Sequence, residues 1–489
     1  MNVIRRTAKN ISSYVLAQII GYLANFIFFI YTARYLGAGD FGVLFFAIAF
    51  SDIFSIFLDL GFKRLMIREI ARDRMLLPKY FNNIATSKIG ISVFIYCLII
   101  TVINILGYPI RSKIIVYIIA LAMIFRAFSE VVFAAFQTFE KMEYEAVGLI
   151  IKAFLLLIGG LVIIRMDLNV FGFALLYLFL YAAIFIYSFV LYILQFKRFQ
   201  FQFDWEFIKM SFFQALPFGL IGVFDLIYHW IDTVMLSIMK GDMTVGWYNV
   251  PSRLIVATLL IPTAFNLAIF PLMSKYFMES EKKLSFVFEK YFKYLAIIGA
   301  AIGISITLLA DKIIPLLFGT EYLPSVIALK ILIWSAVLVY INSASVQLLI
   351  SINKQLLLTK IAGFAVILNI LLNFILIPKY SYLGACGVAV LSQLFLSVSV
   401  FYYASKTKYK IQENIILKTL LPVCLAGFLM GAMVLYFKRF ASIWLMIFPG
   451  LVIYLLALFL FKVIKQNDLA VFKSIFKEKT IEQETRLLL

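Results

Sequence analysis

The chain is predicted to be an all-α polytopic membrane protein, and three observations carry that prediction. Apolar runs long enough to cross a bilayer recur from Ile11 to Val463, and short basic or Gly/Pro-containing segments separate them. Hydrophobic residues make up 64% of the 489 positions and charged residues 14%, with a mean hydropathy of +1.02. Such a chain has too little polar surface to cover a water-soluble globule. In hydrocarbon each backbone N–H and C=O needs an internal partner, so the spans are expected to be helices of about 20 residues.

Counting at that length gives about fourteen spans, centred near Leu23, Phe54, Phe94, Phe125, Leu155, Leu180, Phe224, Leu259, Ala300, Val337, Val366, Ser392, Gly427 and Gly450. The second runs on into a basic amphipathic stretch. An even number puts both termini on one side, and charge says which. Roughly 30 Lys and Arg fall in the N terminus, the even-to-odd connectors and the tail, against about 8 in the alternate set; the richer set reads as cytoplasmic. The chain is therefore expected in the cell (plasma) membrane, multi-pass, with both termini cytoplasmic. Its heaviest basic clusters are Lys63, Arg64, Arg68, Arg72, Arg74 and Lys79, then Lys275, Lys282, Lys283, Lys290 and Lys293. Topology and attraction to anionic membrane lipids account for the formal charge of +19, so no nucleic-acid partner is implied.

Arg5, Arg6 and Lys9 precede the first apolar stretch as in a signal peptide, but the stretch is too long and lacks a small-residue cleavage site, so an uncleaved helix is expected. Cys97, Cys386 and Cys424 all fall inside spans, where a thiol behaves as a small hydrophobe; neither a disulfide framework nor a metal site follows.

Laid on itself, the chain repeats after roughly 200 residues. Thr32 to Arg72 parallels Met235 to Lys275, Gln137-Thr-Phe-Glu-Lys141 parallels Leu349-Ile-Ser-Ile-Asn-Lys354, and each half closes on a glycine turn at Gly172 or Gly384. Repeats six spans apart share one membrane orientation and are related by an axis along the membrane normal, as in transporters whose substrate path runs between the halves. The expected division is an N-terminal six-helix bundle at 1–203, a second at 204–410, two additional helices at 411–465 and a cytoplasmic basic tail at 466–489.

Ala33-Arg-Tyr-Leu-Gly-Ala-Gly-Asp-Phe-Gly42, Leu58-Asp-Leu-Gly61 and Arg68-Glu-Ile-Ala-Arg72 resemble the opening of polysaccharide and oligosaccharide flippases of the Wzx type. Leu216-Pro-Phe-Gly219, Ile231-Asp232 and Val245-Gly-Trp-Tyr-Asn249 resemble the start of that family's second half. The resemblance covers the whole chain and places it in the multidrug/oligosaccharidyl-lipid/polysaccharide exporter superfamily. It implies two six-helix bundles in a pseudo-twofold V that opens alternately to each side. The implied cargo is a polyprenyl-(di)phosphate-linked glycan moved to the outer leaflet, with glycan polymerase or glycosyltransferase machinery as partners.

A large anionic head with a lipid tail calls for a wide cavity with buried positive charge. Six basic residues lie at or within spans: Arg34, Lys88, Arg126, Lys152, Arg253 and Lys330, and intramembrane ionisable groups face a cavity or a partner. Arg126 is deepest, with Glu130 one turn on; it reads either as a phosphate ligand or as half of an internal ion pair. Lys88, Lys152 and Lys330 lie nearer span ends and read either as further substrate ligands or as snorkelling to the headgroups. Arg34 reads either as a substrate ligand or as an interfacial anchor. Arg253 is the second candidate for phosphate, which a planar guanidinium can hold bidentately.

Asp52 and Asp59 are seven apart and are expected on one face of span 2. Asp225, His229 and Asp232 form a similar stripe in span 7, a candidate site for a coupling H⁺ or Na⁺, with Pro217, Gly219 and Gly222 able to loosen the helix before it. Gln18, Asn25, Asn266, Asn342, Gln347, Asn369 and Asn373 could meet sugar hydroxyls or join helices. There is no phosphate-binding glycine loop, zinc-ligand spacing or nucleophile elbow, so neither an enzyme nor a cofactor is expected. A multidrug exporter of the same superfamily, with acidic rather than cationic cavity groups, is the competing reading; a membrane glycosyltransferase or polymerase is a more distant one.

Overall fold

The computed structural model describes residues 3–196, 199–409, 413–437 and 443–464; the expected basic tail lies outside them. The first part of the chain comprises α1 (Val3–Ser55), α2 (Phe62–Arg72), α3 (Leu77–Ile105), α4 (Ile110–Thr138), α5 (Glu143–Arg165), α6 (Val170–Gln195) and α7 (Trp205–Lys240). Then follow α8 (Asp242–Thr258), α9 (Leu260–Glu279), α10 (Glu281–Phe318), α11 (Ser325–Ser351), α12 (Gln355–Ser405), α13 (Glu413–Phe437) and α14 (Ile443–Leu460). No strand occurs among the described residues. Eleven stretches are long and apolar enough to cross a membrane, α8 and α9 together making one. Two of the eleven, α1 and α12, have 53 and 51 residues and break at Gly37 and Ser381. With the shorter apolar stretch Phe448–Leu460, fourteen crossings are accommodated among the described residues.

The break at Gly37 (φ 69, ψ 174) has the same conformation as Gly241 (φ 84, ψ 170), which ends α7. Both lie in the left-handed half of conformational space, where a side chain is strained and glycine is not. This shared turn corrects the register of the repeat. Matching Thr32 to Met235 is a shift of 203 positions, whereas Gly37 and Gly241 stand 204 apart.

Span 2 departs from expectation. Helix α1 stops at Ser55, a single 3₁₀ turn covers Ile56–Leu58, and Leu60 (φ 42) and Gly61 (φ 90) turn the chain into α2. Asp52 and Asp59 therefore do not share one continuous helical face. Instead the Asp59 carboxylate accepts from the backbone N–H of Lys63 (3.1 Å) and Gly61 (3.3 Å), capping α2. A Cβ at Gly219 would come within 2.6 Å of the Leu60 carbonyl carbon. Gly219 thus serves a close approach of α7 to this turn, and α7 stays continuous through Pro217.

Contacts divide the chain into two compact units, Met1–Ala257 with Ile314–Ala328 and Thr359–Ser392, and Thr258–Ile313 with Leu329–Leu358 and Gln393–Leu489. In the first, the apolar face of amphipathic α2 (Leu65, Met66, Ile70) is buried with Phe81, Ile84 and Phe136 of α3 and α4. In the second, Tyr276, Phe288, Phe292 and Tyr340 share one core, and Met430, Tyr454 and Leu458 another, where the Tyr454 hydroxyl donates to the Ile297 carbonyl (2.8 Å). Large apolar side chains such as Phe94, Phe154, Phe179 and Phe428 are exposed. Exposure on that scale fits lipid rather than water as solvent.

Candidate functional site

The last turn of α1 carries Asp52, 7% exposed, on which three helices converge. Its Oδ1 accepts from an Arg126 Nη2 of α4 and from Ser55 Oγ (3.1 Å), and its Oδ2 accepts from the Trp230 indole N–H of α7 (2.8 Å). Arg126 also reaches Ser55 Oγ (3.3 Å), while its Nε stands 3.7 Å from Glu130 and makes no hydrogen bond. The sequence reading offered Glu130 as the internal partner of Arg126. The structure gives the hydrogen-bonded place to Asp52, which the last turn of α1 brings within reach of α4.

Arg253 occupies the other side of Trp230. Its guanidinium lies 4.5 Å from the Trp230 ring and 5.3 Å from the Phe45 ring, in cation–π range. Its Nη1 is 3.3 Å from His229 Nε2. A guanidinium only donates, so this contact sets the imidazole with its proton on Nδ1. The His229 ring meets Trp230 edge-on at 4.9 Å. Among the described residues no carboxylate lies within salt-bridge distance of Arg253. Lys152 likewise has no carboxylate partner; its ammonium lies 5.0 Å from the Tyr181 ring and 3.4 Å from the Tyr181 hydroxyl.

Lys88 corrects the snorkelling reading. It is 2% exposed, donates to the Ala127 carbonyl (3.1 Å) and stands 4.0 Å from Asp59. It lies three turns into α3 on the side facing α4, so its stem points into protein and not along lipid. Lys152 does not follow that reading either, since its head is held by Tyr181. Arg34 is exposed on α1. Among the described residues Arg34 makes no polar contact with this cluster, and Lys330 is half-buried in the second unit.

The span-7 stripe divides among three environments. Asp225 is exposed and His229 belongs to Arg253. Asp232, 4% exposed, accepts from Tyr248 Oη (2.5 Å) and Asn373 Nδ2 (2.5 Å), and the same Asn373 amide donates to Asn369 Oδ1 (2.9 Å). Asn373 Oδ1 is buried with no donor. A carboxylate beside an unsatisfied amide oxygen is a suitable donor set for a proton or a hard cation. Of the other amides, Asn342 donates to Ser397 Oγ (2.9 Å) and Asn266 accepts from Tyr291 (2.5 Å), so both join helices. Trp230 and Tyr181 carry no signal in the sequence, because an aromatic residue in a span reads as lipid-facing until its polar atom has a partner; Tyr248 lies in the Val245-Gly-Trp-Tyr-Asn249 motif, but its bond to Asp232 is visible only in the fold.

Comparison with known proteins follows the same lines. Residues 7–277, more than half of the chain, match a family described as polysaccharide biosynthesis protein. The capsular polysaccharide biosynthesis protein CapF of Staphylococcus aureus is 23% identical over 409 residues, covering 81% of this chain and 98% of CapF. The probable low-salt glycan biosynthesis flippase Agl15 of Haloferax volcanii is 26% identical over 246 residues, 49% of this chain and 52% of Agl15. Apart from CapF, the curated relatives it matches are spanned over about half of their own length or less. In fold, the chain is similar to the lipid II flippase MurJ in an inward closed conformation, with a TM-score of 0.74 at 14% identity over 91% of this chain and 97% of MurJ. It is also similar to an inward-facing multidrug resistance MATE transporter, with a TM-score of 0.63 at 16% identity over 78% and 93%. An all-helical chain with a pseudo-symmetric repeat and a cationic centre, matched over more than half its length, belongs to the polysaccharide biosynthesis protein family.

Proposed function

We propose that this protein carries a polyprenyl-phosphate- or diphosphate-linked oligosaccharide from the cytoplasmic to the outer leaflet of the cell membrane by alternating access, with both termini cytoplasmic. Arg253 carries the reading. It is a half-buried guanidinium with no carboxylate within salt-bridge distance among the described residues, mounted on Trp230 and Phe45. A cation left without a counter-charge in a membrane protein is costly, and an anionic headgroup would supply what the protein withholds. Lys152 adds a second such charge. Arg126, already committed to Asp52, is better suited to fixing the carboxylate that holds Trp230 beneath Arg253 than to binding phosphate directly. The likeness to relatives named as flippases supports this cargo over the small cations of a multidrug exporter, as does the sign of the cluster. The carrier is no enzyme in this reading; glycosyltransferases make its cargo and a polymerase or transferase consumes it.

The test is flipping of a fluorescent polyprenyl-diphosphate oligosaccharide in proteoliposomes. Arg253→Ala is expected to lower the rate at least about tenfold, the loss of a charged hydrogen bond of roughly 1.5–3 kcal/mol, while Arg253→Lys retains part of it as a point charge. Undiminished flipping by Arg253→Ala would sink the proposal. For the energy source we assign Asp232, with Asn373 and Asn369, to a coupling H⁺ or Na⁺; binding there would bias one of two open states through differential affinity. Asp232→Asn should then flatten the response of transport to an imposed ion gradient, and a full response at normal expression would remove the assignment.

A further inference from the structure

In the first unit, α1 and α8 approach more closely than side chains would allow. A Cβ at Gly42 would overlap the Asp242 carbonyl, 2.6 Å from its carbon and 3.2 Å from Gly246 N. A Cβ at Gly246 would in turn overlap the Ala38 carbonyl, 2.9 Å from its carbon and 3.0 Å from its Cα. Ala38 and Asp242 stand 204 positions apart, as do Gly42 and Gly246, which is the shift that relates the two turn glycines. The contact is thus exchanged, each repeat giving the other the same surface, as across a twofold dimer interface.

Two tyrosines repeat the exchange. Tyr108, in the connector between α3 and α4, donates to Ser237 Oγ of α7 (2.9 Å) and stacks on Phe46 (4.6 Å between centroids, 10°). Tyr322, in the connector between α10 and α11, donates to the Ala33 carbonyl of α1 (2.9 Å) and meets Phe41 edge-on at 6.2 Å. Ala33 and Ser237 are again 204 apart. Burial pushes both phenols well above their ordinary range, so both remain hydrogen-bond donors at any physiological pH. All four contacts lie an odd number of crossings from the N terminus, on the non-cytoplasmic side in the proposed topology. The approach of Gly61 to Ala215 and Gly219 near the other end lacks this repeat relation.

We propose that the reciprocal contacts of Gly42 and Gly246, flanked by the exchanged latches Tyr108 and Tyr322, form a single twofold gate that closes the non-cytoplasmic side and must open as a unit. A parting of the two repeats that preserves their twofold relation strains symmetry-related contacts equally, so neither latch can stay made once the glycines separate. This rests on the alternating-access reading but not on the cargo.

Spin labels at Ile110→Cys, at the start of α4, and Leu323→Cys, in the connector between α10 and α11, exposed at 78% and 52%, read the gate by electron–electron distance, in full-length protein without native cysteines and without substrate. The Tyr108→Phe/Tyr322→Phe pair should raise the ratio of a longer-distance population about fivefold per lost hydrogen bond, the two effects multiplying. Gly42→Ala should act in the same direction by holding the backbones apart. Gly39→Ala, in the same turn but facing open space, should leave the distribution unchanged. Distributions identical to the parent in both the tyrosine pair and Gly42→Ala would overturn the gate, as would an equal response in Gly39→Ala. Because no substrate enters the measurement, failure here leaves the Arg253 result untouched, and loss of flipping leaves the gate untouched.

Discussion

Removing the Asp52 carboxylate is expected to destabilise the protein more than any other single charge removal in the central cluster. Asp52→Asn leaves Arg126, with 27% of its side chain exposed, the neutral Ser55 hydroxyl and the Glu130 carboxylate at 3.7 Å, and weakens the acceptor of the Trp230 N–H. Breaking a buried pair from one side costs about 3–5 kcal/mol, and a buried indole N–H left wanting costs roughly 1–3 kcal/mol. The two overlap, so about 3–5 kcal/mol is the expected total, a large fraction of a typical 5–15 kcal/mol stability. Glu130→Gln sets the scale from the other direction. That carboxylate is 44% exposed and not hydrogen-bonded to Arg126, so its loss should cost under about 1 kcal/mol. The assay is a double-mutant cycle of Asp52→Asn and Arg126→Gln, followed by thermal unfolding in detergent, with tryptophan emission in a background that keeps Trp230 and replaces the other four tryptophans by Phe as a second probe. A coupling of about 2–3 kcal/mol between the two changes is expected, with partial recovery of stability in the double variant. Additive losses, or a Glu130→Gln cost equal to that of Asp52→Asn, would refute the assignment of Asp52 as the partner of Arg126.

Lys88→Met should be neutral or mildly stabilising in unfolding midpoint, because it removes a fully buried charge held by one carbonyl and a 4.0 Å carboxylate; a marked drop in midpoint would show that the ammonium is stabilising where it sits. For topology, cysteines introduced at Ala71, Glu279 and Thr407 should be shielded from a membrane-impermeant maleimide in intact cells, whereas one at Ile110 should react. Labelling of Glu279→Cys in sealed cells would overturn the proposed orientation.

Hydropathy and charge alone determined the all-helical membrane class and the number of crossings, since each is a property of local composition that lipid selects one span at a time, while the repeat is legible in motifs that recur roughly 200 residues apart. The same holds for the list of ionisable residues inside spans, because their cost in hydrocarbon does not depend on which neighbour they find. What each of them touches is another matter. Asp52 and Arg126 are 74 positions apart, and their meeting depends on α1 packing against α4, whereas the turn at Leu60 and Gly61 ends a face that sequence spacing extends to Asp59. Lys88 was legible as a lysine near a span end but not as one turned inward, since snorkelling and burial differ only in which neighbouring helix stands beside the stem. The register of the repeat was off by one residue because chemical similarity around Gly37 and Gly241 is loose, while their backbone angles are nearly equal. The division of the Asp225, His229 and Asp232 stripe, the mounting of Arg253 on Trp230 and the exchange of Tyr108 and Tyr322 belong wholly to tertiary structure. Helical periodicity states which residues share a face, whereas partners across helices are set by long-range packing that no local pattern encodes.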